Sequence, residues 1–396
     1  MSYLILIPFF LILAYLTFSV FYTLFLAVVS VFFKRGGNAE TGILRKYLLM
    51  IPAHNEESII GKLIRSLKEI DYPADKMEIL IIADNCEDGT AGIAAQQGIR
   101  VLERFDQTGR GKGFAIAWAL QKIDLDAFDA LVIIDADNYV DPRFLTELNR
   151  IVEKGYQAIQ CYNNVGNPDT NSFTRLMYLS RTINNELYHF PKFKLGLSSF
   201  LMGNGMCFGT GFLKKFGWST HTIAEDYEYY AKIIKAGEIV GYALKAKLFH
   251  QESRGIRQAT NQRLRWSAGR FQVAYQYGLD LLKQGLKEKS YRVIDASFPL
   301  LLPNLSLMVN LTLICLLFSI FYYWAYGFLA LTAWFLFLLF LEIVYFASGI
   351  FLTRISLWKM LASFLYAPLF LVWKACIDVV GIIRRKNRQW VASQRS

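Results

Sequence analysis

Two long apolar stretches, one towards each end, constrain this chain more than any other feature. Tyr3 to Phe33 carries no charged residue over 31 positions, and 296–383 is sparsely charged and rich in Leu, Phe, Ile and Tyr. Between them, 34–295 has the composition of a water-soluble domain. About 20 apolar residues cross the hydrocarbon core of a bilayer, so the first stretch is long enough to cross with tilt. A secretory signal needs a basic start, a short apolar core and a small-residue cleavage site. This stretch has no early Lys or Arg and is too long, so a retained transmembrane helix is expected. The chain therefore divides into an N-terminal span over 1–35, a soluble domain over 36–267, an amphipathic interfacial region over 268–295, apolar helices over 296–383 and a basic tail over 384–396.

The net charge of +11 is gathered beside the apolar blocks: Lys34 and Arg35 after the first, Lys283, Lys287, Lys289 and Arg292 before the second, and Arg384, Arg385, Lys386 and Arg388 after it. Flanking Lys and Arg mark the cytoplasmic side and suit anionic headgroups. The expected setting is an inner or plasma membrane with the soluble domain in the cytoplasm. No nucleic-acid recognition motif accompanies the charge, so nucleic acid is not an expected partner. Within the second block, Leu300 to Trp324 and Phe328 to Phe351 read as spans, whereas Leu357 to Ile383 is interrupted by Lys359 and Lys374. Three spans there would put the basic tail outside, so the Lys-containing stretch is expected to be interfacial or re-entrant. Phe271, Tyr275, Leu279, Leu282 and Leu286 recur at helical spacing, which predicts an amphipathic helix at the membrane surface. Cys86, Cys161, Cys207, Cys315 and Cys376 show neither paired spacing nor a metal-type cluster, which fits a reducing compartment and argues against zinc.

The soluble domain begins with alternating strands and helices. Tyr47–Ile51, Glu78–Ala83, Arg100–Leu102 and Ala130–Ile134 read as strands, and Glu57–Ile70 and Gly113–Lys122 as helices. This rhythm predicts a mostly parallel α/β sheet covered on both faces, with ligands at the carboxyl ends of the strands. The polar clusters fall there. From 171 to 290 the pattern is mostly helical, with short strands near Met206–Phe208 and Val240–Leu244.

Asp135-Ala136-Asp137 follows a strand and places two carboxylates at its tip. Mg²⁺ or Mn²⁺ takes one or two carboxylates plus substrate phosphates and can neutralise a diphosphate leaving group. Asp141-Pro142 serves the next helix start better, so Asp135 and Asp137 have no evident structural duty. Asp84 suits a hydrogen bond from a base N–H, while Asp88 reads as a helix cap. Pro52-Ala53-His54-Asn55-Glu56-Glu57 sets polar atoms at the first strand tip, although the glutamates also suit a helix start. Gly109-Arg110-Gly111-Lys112-Gly113 precedes a helix and can bind diphosphate, without being a Walker loop. Glu225-Asp226 offers a general base or an ordinary acidic helix start. In Gln262-Arg263-Leu264-Arg265-Trp266, Arg265 can pair with phosphate and Trp266 can stack on a sugar, or the segment is a basic juxtamembrane helix.

In this order, over about residues 47–270, the clusters resemble the family-2 glycosyltransferases of the inverting GT-A fold. Among these they look most like the cellulose-synthase-like, exopolysaccharide-forming membrane branch. The resemblance implies that Asp84 contacts the uracil of a UDP-sugar and that Pro52, His54, Asn55, Glu56 and Lys112 belong to the donor site. It implies that Asp135 and Asp137 hold metal and donor, with Asp137 the direct ligand, and that Asp226 is the catalytic base. Arg265 would face the diphosphate, and Gly203, Asn204, Gly205, Glu225, Gln262 and Trp266 the acceptor. Residues 385–390 are similar to a tail motif of membrane polysaccharide synthases, although Val391 stands where that motif often has Thr.

The expected function is inverting transfer of a sugar, from a UDP-hexose donor, to a lipid-linked or saccharide acceptor in exopolysaccharide or glycolipid synthesis. The apolar block is small for a translocating channel, which disfavours a processive polysaccharide synthase. A sugar nucleotidyltransferase would carry a basic Gly-rich loop directly after the first strand, where this chain has Pro52-Ala53-His54. A catalytically inactive membrane scaffold would have no need of a carboxylate at each strand tip.

Overall fold

The structure is a computed structural model that describes residues 2–33, 42–252 and 256–385, with side chains omitted at 2–8 and 256–257. Lys34, Arg35 and the tail motif from Lys386 onward lie outside the described residues. The chain opens with helix α1 (Ser2–Phe32). The alternating half follows as β1 (Tyr47–Ala53), α2 (Ile60–Lys68), β2 (Met77–Asp84), α3 (Thr90–Gln96), β3 (Arg100–Arg104), α4 (Lys112–Leu120) and β4 (Ala130–Ile133). Then come β5 (Asn138–Val140), α5 (Phe144–Val152), β6 (Ala158–Val165), α6 (Ser172–Ile183), α7 (Phe190–Lys194), β7 (Met206–Gly209), α8 (Thr210–Phe216), α9 (Glu225–Lys235) and β8 (Val240–His250). Helices complete the chain: α10 (Ile256–Val273), α11 (Leu279–Lys287), α12 (Tyr291–Leu301), α13 (Leu305–Tyr326), α14 (Leu329–Ile350), α15 (Leu357–Phe364) and α16 (Ala367–Arg384).

All eight strands form one sheet in the order β3-β2-β1-β4-β7-β6-β8-β5. β3, β2, β1 and β4 pair in parallel, as do β6 and β8. β7 runs antiparallel to both its neighbours and β5 antiparallel to β8. The sheet is therefore mixed, where the sequence rhythm predicts one mostly parallel. The difference begins at β6, which sequence pattern leaves unassigned. Its eight residues are all buried, yet Gln160, Asn163 and Asn164 break the apolar run. Gln160 is satisfied by the next loop, receiving the Met202 N–H and donating to the Asn204 carbonyl.

Period-two alternation divides the core. Leu48, Met50, Leu80, Ile82, Leu131 and Ile133 face α4 and α9, while Tyr47, Leu49, Ile51, Ile81 and Val132 face α2 and α5. With both faces covered, β1 to β4 read as near-continuous apolar runs.

Among the described residues, three helices are long and apolar enough to cross a membrane: Phe9–Phe32 of α1, α13 and α14. Their side chains meet around Leu16, Val20, Met308, Phe335 and Leu338. The Tyr22 hydroxyl donates to Asp295 of α12 at 2.5 Å, which ties the first helix to a segment 273 residues away. The Lys-containing stretch is split into α15 and α16, bent by 59°. α16 lies against α10, where Gly381 approaches Ser267 so closely that a Cβ would sit 2.3 Å from its Oγ. Ser267 and Asn304 both donate to Asp378 of α16. Helix α10 thus runs unbroken through position 267 into the amphipathic region. There Tyr275, Leu279 and Leu286 are exposed, while Leu281 and Gly285 face inward.

Candidate active site

A cavity of about 960 Å³ opens at the carboxyl ends of β1, β2 and β4 and continues between α6, α10 and the apolar helices. Its polar end is lined by Pro52, His54, Glu56, Asp84, Lys112, Asp135, Asp137, Gly203, Asn204, Glu225, Asp226, Gln262, Arg265 and Trp266. The clusters singled out in the sequence therefore converge on one wall-to-wall site, with two exceptions.

Asn55 is outside the cavity lining. It adopts a left-handed conformation (φ 54°), and its side-chain oxygen accepts the Glu87 N–H. Its work is to tie the first strand tip to the second. Gly205 is also outside, wedged where a Cβ would clash with Leu248 and Cys161. Asn204 lines the cavity, but its amide is committed: it accepts the Asp135 N–H at 3.1 Å and donates to Asn138 at 2.8 Å. The Gly-Asn-Gly turn, left-handed at both glycines, so fixes the backbone of the Asp-x-Asp segment.

At the tip of β2, Asp84 is buried and accepts from Arg104 Nη1 at 2.6 Å. Burial raises the Asp84 carboxyl above its ordinary range, and Arg104 offsets part of that rise. Arg104 also binds Asp106 and the Gly109 carbonyl, so it shapes the glycine-rich loop as well. His54 Nδ1 lies 2.7 Å from the Asp84 carbonyl oxygen. Asp88 accepts from Thr90 and Glu57 at the start of α3, a capping arrangement.

Lys112 opens α4 and meets Asp135 at 2.5 Å, with Glu225 at 4.0 Å. Burial opposes its charge, but Asp135 and Glu225 outweigh it and raise the ammonium. Asp137 accepts from the Asn138 amide at 2.9 Å. The described residues hold no group of three or more His, Cys, Asp or Glu placed to share an ion. Two cavity-lining carboxylates at one strand tip do fit an ion completed by substrate phosphate rather than by a protein cage.

Glu225 and Asp226 open α9, and Asp226 lies against Gly203, whose added Cβ would be 3.1 Å from its Oδ2. Burial, then the Glu225 carboxylate, pushes the Asp226 carboxyl up to about 7. Burial raises Glu225 too, and Lys112 counters it. An aspartate held near neutrality at a cavity wall has the properties of a general base.

Sequence reasoning missed several residues. Arg104 ends a short strand and has no motif around it. Arg181 and Asn184 of α6 and the turn after it line the cavity, and both aim N–H groups at the Met202 sulfur, at 3.9 and 3.4 Å. Asn184 begins a π-helical turn, Asn184–His189, a distortion common at functional sites. Glu252 pairs with Arg263 at 2.8 Å, with both side chains almost fully buried. Burial alone would raise Glu252, but Arg263 and His250 hold it down to about 2. Arg263 in turn lies 5.3 Å from the Trp266 ring centroid, so it sets the ring in place.

The sheet, the strand-tip carboxylates and the cavity define a GT-A glycosyltransferase. The chain belongs to the family described as glycosyltransferase like family 2, whose sequence model matches residues 45–269. It is 24% identical over 260 residues to the probable glycosyltransferase YdaM of Bacillus subtilis (strain 168), covering 63% of this chain and 60% of that protein. It is 28% identical over 254 residues to the beta-monoglucosyldiacylglycerol synthase of Synechocystis sp., covering 61% and 51%. The chain thus spans between half and six-tenths of the length of these curated relatives. The fold is also that of the mannosyltransferase PcManGT from Pyrobaculum calidifontis, solved with GDP-Man and Mn²⁺. The TM-score is 0.57 and the identity 15%, over 96% of this chain and 98% of the other.

Proposed function

We propose that this enzyme transfers a sugar from a UDP-sugar to a hydroxyl of a membrane lipid, at the cytoplasmic face and with inversion. One observation carries the lipid reading. The cavity that holds Asp226 runs without interruption into a wall of Leu176, Leu305, Met308, Leu339, Phe346 and Phe370, side chains of α6, α13, α14 and α16. A soluble acceptor needs no such wall, whereas acyl chains do. The kinship with a glucosyldiacylglycerol synthase agrees with this reading.

In the proposed reaction Asp226 takes the proton of the acceptor hydroxyl. The oxygen attacks the anomeric carbon from the side opposite the diphosphate, the bond to UDP breaks, and a single displacement inverts the configuration. Asp84 with Arg104 and His54 would hold the base, and Lys112 and Arg265 would face the diphosphate. Asp135 and Asp137 would bind Mg²⁺ or Mn²⁺, which supplies neutralising charge for the leaving group. Gln262 and Trp266 would border the acceptor. The helix arrangement supports a cytoplasmic catalytic domain. Asn304, at the start of α13, donates to Asp378 of α16, which also accepts from Ser267 of α10. α14 returns to that domain, where Gly349 meets Ile183. On this reading the end of α16, at Arg384 and Arg385, would lie on the same side of the membrane as the catalytic domain, which we take to be the cytoplasm.

The test is UDP or GDP release by the purified protein in nanodiscs across a panel of UDP- and GDP-sugars, with Mg²⁺, Mn²⁺ or EDTA. Added lipid extract follows, with mass analysis of products. Metal-dependent transfer of one sugar to a lipid is expected. Growth of a long saccharide without lipid would replace this reading with a processive synthase.

A further inference from the structure

The apolar half of the cavity contains two carboxylates that the proposed reaction does not use: Asp378, which accepts from Ser267 and Asn304, and Glu342. Glu342 is the single charged residue of α14, which is otherwise uniformly apolar. It is 1% exposed. Its Oε1 accepts from Thr312 of α13 at 2.7 Å. Its Oε2 is buried with no hydrogen-bond partner among the described residues. The residue lines the same cavity as Asp226, between Leu339 and Ile343. Gly349, at the catalytic end of α14, lies against Ile183. Glu342 is seven residues further along the helix, about 10 Å deeper into the apolar block.

A carboxyl inside a membrane helix is costly unless its oxygens are satisfied. One oxygen is satisfied by the neighbouring helix, and the other is left over on a side chain that lines the space through which a lipid acceptor would reach Asp226. We propose that Glu342 is an acceptor-binding residue that hydrogen-bonds the polar base of the acyl chains in a glycerolipid acceptor. A carboxyl accepts hydrogen bonds, and donates one when protonated, so Oε2 can meet either a hydroxyl or an ester carbonyl. A polyprenyl chain offers only hydrocarbon at that depth, so the same contact selects against it. The proposal rests on the lipid-acceptor reading and names the class of lipid.

The full chain in phosphatidylcholine nanodiscs would be given graded dioleoylglycerol and the UDP-sugar that supports transfer. Glu342→Leu is expected to raise the acceptor KM roughly tenfold, with donor KM and donor hydrolysis unchanged within about twofold. Glu342→Gln should restore most of the acceptor KM. A purely structural link between α13 and α14 would lower the melting temperature without separating the two KM values. In the wild-type protein, a diacylglycerol with a diazirine beside its ester should label residues 339–346, and dioleoylglycerol but not polyprenyl phosphate should compete. That arm stands even where Glu342→Leu fails to fold. An unchanged acceptor KM in folded Glu342→Leu, or labelling that misses α14, would overturn the role of Glu342. If the wild-type protein releases UDP yet transfers to no lipid, the lipid reading itself has failed.

Discussion

The two halves of the cavity are built on different principles. The donor half stands on strand tips, and its polar groups are paired with one another: Asp84 with Arg104, Lys112 with Asp135, Asn204 with the Asp135 backbone. The other half stands on helices, and while Asp378 is well paired there, several of its polar groups meet weak partners among the described residues: Arg181 and Asn184 a sulfur, one oxygen of Glu342 none. A pre-paired donor site needs little reorganisation to receive a charged nucleotide. Under the proposed function, groups left on weak partners in a buried wall would gain hydrogen bonds from the acceptor. The contrast implies that substitutions in the donor half damage the chemistry, and those in the acceptor half shift acceptor affinity.

The largest effect is expected from Asp226→Asn, which should lower kcat by about 10³ to 10⁴ with little change in donor affinity, measured by UDP release and donor titration. Asp137→Ala should cost about 10² to 10³, with added Mn²⁺ at high concentration recovering part of it. A loss confined to the acceptor KM in either variant would break the comparison.

Arg263→Met should destabilise the fold by about 3–5 kcal/mol, because it removes the guanidinium that pairs with the buried Glu252 carboxylate at 2.8 Å. Thermal unfolding in detergent measures this. The Glu252 carboxyl is depressed in the folded state, so the pair's contribution is present above the ordinary glutamate range and is lost as pH falls from about 4.5 towards 2. Stability should therefore fall more steeply on acidification in the wild type than in Arg263→Met.

Arg181→Ala is expected to raise the acceptor KM about tenfold while kcat changes less, which would sharpen the division between the halves. The smallest effect is a shift in pH. Burial and Glu225 push Asp226 up to about 7, so kcat/KM should rise with pH through that value as the base loses its proton. Glu225→Gln removes a like charge, so the limb should move to lower pH by about one unit.

Most of the donor half was legible in the sequence. Short apolar runs ending in Pro52, Asp84 and Asp135 place polar side chains at strand tips, because a parallel strand ends where its apolar run ends. Those endings by themselves imply an α/β domain with its site at the strand tips; the GT-A assignment came from the resemblance of the ordered clusters to family-2 glycosyltransferases. The mixed character of the sheet was not legible, since β6 carries Gln160 and Asn164, whose burial depends on partners elsewhere in the chain. Arg104 was equally hidden: nothing in Arg-Val-Leu-Glu-Arg distinguishes an arginine that locks Asp84 from one at the surface.

The sequence by itself determined the two apolar blocks and the identity of the strand-tip carboxylates, because these depend on local pattern and chain order, and the class of enzyme through the family resemblance that those clusters carry. Only the tertiary structure decided that Asn55 and Gly205 serve the scaffold, and that α10 joins the site to α16. It also decided that Arg181, Asn184 and Glu342 share one cavity with Asp226. Those relations depend on contacts between residues far apart in sequence, and burial and pairing are fixed only when the helices close around them.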